Sequence, residues 1–394
     1  MNTAEFVKTY SVERHGTHSG KWDGLKEKFG DADLISMWVA DMEFRTCEQI
    51  TDAMIQRCQH GVFGYSLVPD SYYQAFSDWM ERRHNWPIQK EWVRFSNGVV
   101  TAVYWMVNAF TKPGDACIVL TPVYYPFHNA VKDTGRKLVT VDLINTDGRF
   151  SIDYDAFEKA IVDNDVKLFI QCSPHNPAGR VWTEEELDRV MDICTAHGVL
   201  IVSDEIHQDL IVGDKKQIPA AIVKGGKYRN NLICLSAASK TFNLAGLIHS
   251  HIVIMDKKLR DAFDAYAVTV YHTTNNILGM VATQAGYMYG DAWLDGLIQV
   301  IRENYEYLQG KLAQTAPGIV LSPLEGTYLA LMDLRHYIRP EDTKEFIQDK
   351  CRIAVDYGEW FGDNFKGFVR LNLATDPKYV KMATENISRE IAKL

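Results

Sequence analysis

The sequence predicts an α/β protein in which a large domain holds a mostly parallel sheet and a second, smaller domain is α+β. The middle of the chain alternates short β-branched runs with helical segments. These runs are apolar at consecutive positions, as in strands that are covered on both faces. The last third instead shows one long helical pattern followed by shorter strands. At 394 residues the chain also exceeds the usual size of one domain.

Six apolar runs are the predicted strands of the central sheet. The segment between the third and fourth of them reads as a helix, because Thr183 and Glu186 form a capping box and Gly198 stands just past the C-cap. A strand, a helix and a strand in this order predict parallel pairing through right-handed crossovers. The six runs cover residues 116–120, 137–142, 167–172, 199–203, 232–235 and 251–255.

The C-terminal third is predicted to hold a long helix over about 293–313, strands at 327–333 and 367–373, and a closing helix from Lys378. The first 45 residues are too irregular to form a unit alone, so we expect them to pack against this third. The predicted division is a large domain over 46–288 and a small domain made of 1–45 and 289–394.

The composition disfavours several classes of protein. A net charge of −9 without a basic run disfavours a nucleic-acid or anionic-membrane partner. No apolar stretch is long enough to cross a bilayer, and the N-terminus lacks the pattern of a signal peptide. Seven cysteines without a Cys-x-x-Cys pair disfavour a disulfide framework or a metal site. We therefore expect a cytoplasmic protein without a bound metal.

Two residues carry the strongest chemical signal. Lys240 lies among small and hydroxyl residues after the run 232–235, and Asp204 ends the run 199–203. Alone, each has a plain interpretation, a surface lysine or a helix N-cap. Together they match the needs of pyridoxal 5′-phosphate (PLP), which takes a lysine for its aldehyde and a carboxylate for its ring nitrogen. Ligands in open α/β sheets collect at the carboxyl ends of strands, where both residues stand.

Other candidates stand beside the same predicted edge. Asn176, in a Pro/Gly turn, offers an amide to the cofactor's phenolic oxygen or to a substrate carboxylate. The ring of Tyr124 either stacks on the cofactor or packs in the core. His207 either binds at the cofactor, by orienting Asp204 or by donating to the cofactor itself, or is a core histidine, and the sequence does not separate these two. Arg370, inside an apolar strand, either binds an α-carboxylate or forms a structural ion pair.

A phosphate site is predicted where Ser96-Asn-Gly-Val-Val100 leads into an apolar helix over 101–110. Gly98 at a helix start leaves backbone N–H groups free for an anion, although glycine before a helix is frequent. Ser236 and Ser239 are candidate hydroxyl donors to the same phosphate.

With these motifs, essentially the whole chain resembles fold-type I PLP enzymes of the aminotransferase superfamily. Within them it is most similar to the MalY/PatB group of cystathionine β-lyases, or C–S lyases. Three segments carry that closer resemblance: Arg-His-Gly-Thr-His-Ser-Gly-Lys-Trp-Asp at 14–23, Met-Trp-Val-Ala-Asp-Met-Glu-Phe at 37–44, and Gly-Tyr-Ser at 64–66.

The resemblance implies a PLP-dependent transferase-like fold with a seven-stranded sheet, and a homodimer with shared active sites. It implies β-elimination from L-cystathionine, L-cysteine or related S-substituted cysteines, as used in methionine synthesis and hydrogen sulfide release. Trp38 and residues 271–276 are expected to shape the substrate pocket. By the same resemblance, Lys240 would form the Schiff base and transfer the Cα proton, Asp204 would pair with the pyridinium nitrogen, and Tyr124 would stack on the ring. Asn176 would bond the phenolic oxygen, and Arg370 would bind the substrate carboxylate. The Val99 and Val100 amides and Tyr65 of the partner subunit would bind the phosphate.

The chain departs from the wider superfamily at two positions near the lysine. Many aminotransferases carry a phosphate-binding arginine eight residues after it and often a serine three residues before it; here these are Ile248 and Ala237. The missing arginine favours the lyase group over an aminotransferase, which is the first alternative. A PLP-binding regulatory protein is the second, although no DNA-binding module precedes residue 14.

Overall fold

The computed structural model describes residues 1–270 and 275–394. The helices are α1 Thr3–Tyr10, α2 Leu25–Phe29, α3 Glu48–His60, α4 Asp70–His84, α5 Val99–Phe110, α6 Pro126–Lys132, α7 Tyr154–Asn164, α8 Glu184–Ala196, α9 Ala238–Thr241, α10 Lys257–Val270, α11 Ile277–Tyr289, α12 Asp291–Thr315 and α13 Pro377–Ile391. The strands are β1 Ile35–Ser36, β2 Val93–Ser96, β3 Ala116–Thr121, β4 Lys137–Asp142, β5 Ile144–Thr146, β6 Arg149–Ser151, β7 Val166–Cys172, β8 Leu200–Asp204, β9 Leu232–Ser236, β10 Ser250–Val253, β11 Val320–Leu321, β12 Leu329–Asp333, β13 Ile353–Ala354, β14 Asp356–Tyr357 and β15 Phe368–Asn372.

The central sheet has seven strands among the described residues, in the order β2-β10-β9-β8-β7-β3-β4. Strands β9, β8, β7, β3 and β4 run parallel, whereas β10 is antiparallel to both β9 and β2. The six predicted strands are confirmed. The sequence analysis missed β2, a short edge strand whose Val-Arg-Phe-Ser pattern is not uniformly apolar.

The parallel strands align their carboxyl ends in register, and this places the functional residues. Cys172 pairs with Asp204, and Asp204 pairs with Leu235, so the segments that follow β7, β8 and β9 leave the sheet at one edge. Strands β3, β8 and β9 are buried at every position, as their apolar runs predicted.

Helix α8 connects β7 to β8 as expected. The Thr183 hydroxyl accepts the Glu186 N–H, and the Glu186 side chain returns to the Thr183 backbone, which confirms the capping box. Beyond the helix, Gly198 has a φ of +67°, a value that favours glycine. The buried face of the helix consists of Leu187, Val190, Met191 and Cys194.

The C-terminal part holds a second sheet in the order β11-β12-β15-β14, and the N-terminal segment pairs with this part through a separate two-stranded sheet. Strand β1 pairs in parallel with β13. Helix α1 packs on α12, where a Cβ added at Gly296 would come within 2.6 Å of the Phe6 ring. The first residues are therefore held by segments that lie more than 250 positions later in the chain.

Within the described ranges, none of the helices has the length and apolar character needed to cross a membrane. The seven cysteines are free thiols, and all except Cys58 are buried.

Candidate active site

A cavity of about 220 Å³ opens at the carboxyl edge of the central sheet. The segments after β2, β3, β7, β8 and β9 all contribute to its walls, which is the placement expected for ligands of open α/β sheets. The lining residues are Ala40, Asn97, Gly98, Val99, Val100, Thr101, Tyr124, Cys172, Asn176, Asp204, Ile206, His207, Ser239, Lys240, Ala245, Ile248 and His249.

Lys240 presents its amine to this cavity from the short helix α9. Its Nζ donates to the Ala40 carbonyl oxygen at 2.6 Å. Burial lowers the pKa of the amine to about 8, while the carboxylates of Asp41 and Asp204 act in the opposite direction. A substantial fraction of the amine is therefore neutral near physiological pH, as a nucleophile or base requires.

Neighbouring residues hold the lysine-bearing helix in place. The Thr241 hydroxyl donates to Asp209 Oδ2 at 2.7 Å, a buried carboxylate that also accepts from His84 at 2.7 Å. The Asn243 amide donates to the carbonyl oxygens of Met42 and Phe44, at 3.1 and 3.0 Å. Lys240 is thus tied to the sheet on one side and to the N-terminal segment on the other.

The acceptor of the lysine amine, Ala40, belongs to that N-terminal segment. The same carbonyl oxygen accepts the Tyr328 hydroxyl at 2.8 Å. On either side of it, the Asn372 amide donates to the carbonyl oxygens of Val39 and Asp41, both at 2.6 Å. No sequence pattern marked this contact, because a backbone carbonyl has no identity in the sequence.

Asp204 lies deep in the cavity and lacks a cation bonded to it. Its Oδ1 accepts the Ile206 N–H at 3.0 Å, and no described residue forms a salt bridge with it. Burial raises the pKa of this carboxyl to about 7, which the Ile206 N–H and the Lys240 charge only partly offset. A buried carboxylate in this state is stabilised by any cationic ligand that reaches it.

His207 and Tyr124 form neutral walls. Burial lowers the pKa of His207 well below its usual value, and its Nδ1 has no hydrogen-bond partner among the residues described. Burial raises the pKa of the Tyr124 hydroxyl to about 12, so the phenol stays protonated. The Tyr124 N–H donates to the Asn176 carbonyl oxygen at 3.1 Å, which joins the two segments after β3 and β7.

Arg370 reaches the cavity through Asn176. Its Nη1 donates to Asn176 Oδ1 at 2.9 Å, and its Nη2 pairs with the buried carboxylate of Asp356. The arginine Nε is buried without a partner in the described part of the chain. A guanidinium with an unused donor, beside a polar amide at a cavity wall, suits a planar carboxylate.

The start of helix α5 forms another wall. Gly98 has a φ of +128°, and no protein atom would lie within 4 Å of a Cβ added there, so the backbone is open toward the cavity. The Gly98 N–H donates to Ser250 Oγ at 3.1 Å, and the N–H groups of Val99, Val100 and Thr101 precede the first intrahelical bond, which runs from the Ala102 N–H to the Gly98 carbonyl oxygen. This is the usual geometry of an anion site at a helix N-terminus.

Several predicted site residues lie elsewhere. Ser236 ends β9 opposite His251, and the Trp38 indole donates to the Lys21 carbonyl oxygen at 2.9 Å. Tyr65 is 95% exposed on a surface loop. None of these three lines the cavity, whereas Ser239 does. Of the predicted pocket segment 271–276, residues 271–274 lie outside the described residues.

Sequence reasoning missed His249, which lines the cavity directly after Ile248. A histidine before a short strand carries no signal of its own. The available clue was its position beside the residue that replaces the superfamily arginine.

An amine, an uncompensated buried carboxylate, a flat aromatic wall and a helix N-terminus surround one cavity. These groups fit PLP, whose aldehyde, ring nitrogen, ring face and phosphate need one each. Fold and site therefore define a PLP enzyme of the α/β class.

The comparisons with known proteins give the family. The model for aminotransferase class I and II matches residues 32–387, and the chain belongs to this family. It is 38% identical to cystathionine beta-lyase PatB of Bacillus subtilis (strain 168), over 91% of this chain and 93% of that protein. It is 32% identical to protein MalY of Escherichia coli (strain K12), over 92% of each.

A solved structure agrees with both relatives. Cystalysin from Treponema denticola, which contains a pyridoxal 5′-phosphate cofactor, superposes with a TM-score of 0.93 at 33% identity. The match covers 97% of this chain and 98% of that one. The predicted fold and the resemblance to the cystathionine β-lyase group are confirmed.

Proposed function

We propose that this protein is a PLP-dependent carbon–sulfur lyase that acts by β-elimination on L-cystathionine, L-cysteine or related S-substituted cysteines. The products are a thiol, pyruvate and ammonia. The observation that carries the proposal is that the Lys240 amine shares the cavity with Asn176, whose side-chain oxygen accepts a hydrogen bond from Arg370 behind the wall. The names of the relatives point to the same chemistry.

When bound, PLP supplies an aldehyde that captures the substrate amine and a ring that draws electrons away from Cα. Asp204, with its pKa raised by burial, is best ionised beside a cation, so we assign it to the ring nitrogen. Tyr124 offers a flat face to the ring, and the Val99 and Val100 N–H groups offer donors to the phosphate. His207 lies next to Asp204 as a neutral wall.

Arg370 and Asn176 orient the substrate by its α-carboxylate. With that end held, the neutral amine of Lys240 would take the proton from Cα. The Cβ–S bond then breaks, and sulfur leaves with its electron pair and gains a proton to become the thiol. Water completes the release of pyruvate and ammonia from the remaining three-carbon unit.

The substrate-binding role of Trp38 is indirect in this proposal. Its indole is held by the Lys21 carbonyl oxygen, and its own carbonyl oxygen accepts from Arg370 Nη2 at 3.4 Å. Trp38 therefore positions the arginine that binds the substrate carboxylate.

A homodimer with shared sites is part of the proposal. Tyr65 and Leu67 are 95% and 91% exposed on one loop, an unusual state for large apolar side chains. A second copy that covers this loop would bury them and bring Tyr65 to the neighbouring phosphate.

Free cysteines agree with a reducing, cytoplasmic location. We also propose the division into 46–288 and 1–45 with 289–394, which the separation of the seven-stranded from the four-stranded sheet supports.

The test is release of pyruvate from L-cystathionine by PLP-loaded protein without a keto acid. Steady pyruvate with an equal amount of thiol supports the proposal. Lys240→Ala, loaded in the same way, is the control for release by free PLP. Amino transfer to 2-oxoglutarate without pyruvate would assign the protein to the aminotransferases instead.

A further inference from the structure

His249 lies beside the helix start that would hold phosphate. Ser250, the next residue, pairs with Ser96 in the antiparallel β2–β10 ladder, and Ser250 Oγ accepts the Gly98 N–H at 3.1 Å. This register places His249 against the turn that leads into α5. The ring lines the same cavity as Val99 and Val100.

The Nε2 edge of the His249 ring is hydrogen-bonded to a buried network. Nε2 of His249 is 2.7 Å from the Tyr72 hydroxyl, which is also hydrogen-bonded to Nε2 of His251. The Phe95 ring stacks on His249 with a centroid distance of 5.3 Å. Tyr72 and His251 are fully buried, so solvent does not satisfy these groups. The network fixes the orientation of the His249 ring.

The other ring nitrogen is unused. In the described part of the chain, Nδ1 of His249 has no hydrogen-bond partner, although the side chain is only 5% exposed. Burial lowers the pKa of His249 to about 4, so the ring is neutral near pH 7 and carries one N–H. The Tyr72 hydroxyl has a single hydrogen, so it donates to one histidine and accepts from the other.

We propose that His249 donates a hydrogen bond from Nδ1 to the phosphate of the cofactor, in the tautomer whose Nε2 accepts from the Tyr72 hydroxyl. In this arrangement Tyr72 donates to Nε2 of His249 and accepts from Nε2 of His251. The inference rests on the proposed PLP function and adds a residue that binds one end of the cofactor.

His249 thereby takes over part of the role of the arginine that is missing at Ile248. Arginine would bring a permanent charge and a forked donor, whereas a neutral imidazole brings one directional donor. Because the ring lines the cavity, its nitrogen, unpaired among the described residues, is accessible to a ligand that binds there.

The test compares two ligands that differ only in the phosphate. Affinities of the apoprotein for PLP and for pyridoxal are measured by spectral titration in wild type and His249→Gln. We expect PLP to bind about 10- to 100-fold more weakly to the variant, as for one lost hydrogen bond to a charged group, and pyridoxal to bind equally to both. The melting temperature of each apoprotein controls for folding.

Equal weakening for both ligands, or none for either, would overturn the inference. A wild-type protein that binds neither ligand would overturn the proposed function as well, so the two failures are distinct. If His249→Gln does not fold, Tyr72→Phe carries the test, because it removes the orienting hydroxyl and keeps the donor. A smaller but phosphate-selective loss supports the inference, and an unchanged PLP affinity contradicts it.

Discussion

Arg180 and Arg370 are both almost fully buried, yet their surroundings differ. Arg180 uses all its nitrogens. Nε donates to Glu325 at 2.9 Å, Nη2 donates to both oxygens of Glu186 at 2.9 Å, and Nη1 donates to the Phe150 carbonyl oxygen. Such a closed network connects segments from β6 to the C-terminal part and leaves nothing for a ligand.

Arg370 has fewer hydrogen-bond partners than Arg180. Asp356 and Asn176 take its two terminal nitrogens, while Nε stays without a partner in the described ranges. Asn176 is also a wall of the cavity. Burial alone therefore does not distinguish the two arginines; the difference is that Arg370, within the part of the chain described, has an unpaired Nε and bonds to a residue of the cavity wall. The same contrast separates Asp204 from the many carboxylates that have cationic partners.

We expect the largest loss of activity from a substitution of the lysine that lines the cavity. Lys240→Ala removes the amine that captures the aldehyde and moves the Cα proton, so we expect turnover to fall by at least about 10⁴-fold. The visible absorbance of the covalently attached cofactor should disappear too. The exposed Lys215→Ala is the matched control and should behave as wild type. Normal turnover by Lys240→Ala would remove the basis of the site assignment.

Arg370→Lys tests the arginine that has an unpaired Nε among the described residues. Lysine keeps a positive charge near Asp356 but loses the fork that matches a carboxylate. We expect KM for L-cystathionine to rise about 10- to 100-fold, with a smaller change in kcat. Steady-state kinetics measure this. An unchanged KM would mean that the substrate carboxylate is bound elsewhere.

Arg180→Lys tests the arginine whose nitrogens are all hydrogen-bonded within the protein. The exchange leaves Glu186 and the Phe150 carbonyl oxygen short of donors, so the free energy of unfolding should fall by about 1–3 kcal/mol. KM should stay the same. Urea unfolding followed by fluorescence measures the loss. If Arg180→Lys changed KM as much as Arg370→Lys, the distinction between the two arginines would fail.

The buried amine predicts a pH effect on cofactor attachment. The pKa of Lys240 is lowered to about 8, and protonation below that value removes the nucleophile. The rate of attachment to the apoprotein should therefore rise with pH up to about 8 and then level off, with roughly a tenth of the amine reactive at pH 7. Stopped-flow absorbance gives the profile. A rate that still rises about tenfold between pH 8 and pH 9 would indicate an ordinary lysine.

The smallest effect concerns a residue remote from the cavity. Thr183→Ala removes the N-cap of α8, whose hydroxyl accepts the Glu186 N–H at 3.2 Å. We expect a loss of about 1 kcal/mol in the free energy of unfolding and unchanged kinetics. Thr183→Ser should restore stability. A change in kcat would mean that α8 influences the site.

Much of this fold was predictable because its signals are local. Consecutive apolar residues marked β3, β7, β8 and β9, and the capping box marked α8. Strand β2 was missed because it is a short edge strand in which Arg94 interrupts the apolar run. A single run of four mixed residues does not separate a strand from a loop.

The site was predictable in its residue types but not in its pairings. Lys240 and Asp204 were singled out because each lies at or just after the end of an apolar run in the sequence. The Asp356 partner of Arg370 and the Tyr72 partner of His249 come from other elements of the fold, and nothing near them in sequence refers to the residue they touch. Such pairings follow from tertiary packing, which a single sequence does not display.

The contact between Lys240 and the Ala40 carbonyl oxygen has a consequence for synthesis on the ribosome. Ala40 emerges early, but β1 waits for β13, and α1 waits for α12. The N-terminal segment must therefore remain without its partners until nearly the whole chain has been translated. The contact of Lys240 with Ala40 is secured only at that late stage, so we expect nascent chains that stall before β13 to lack a finished cavity.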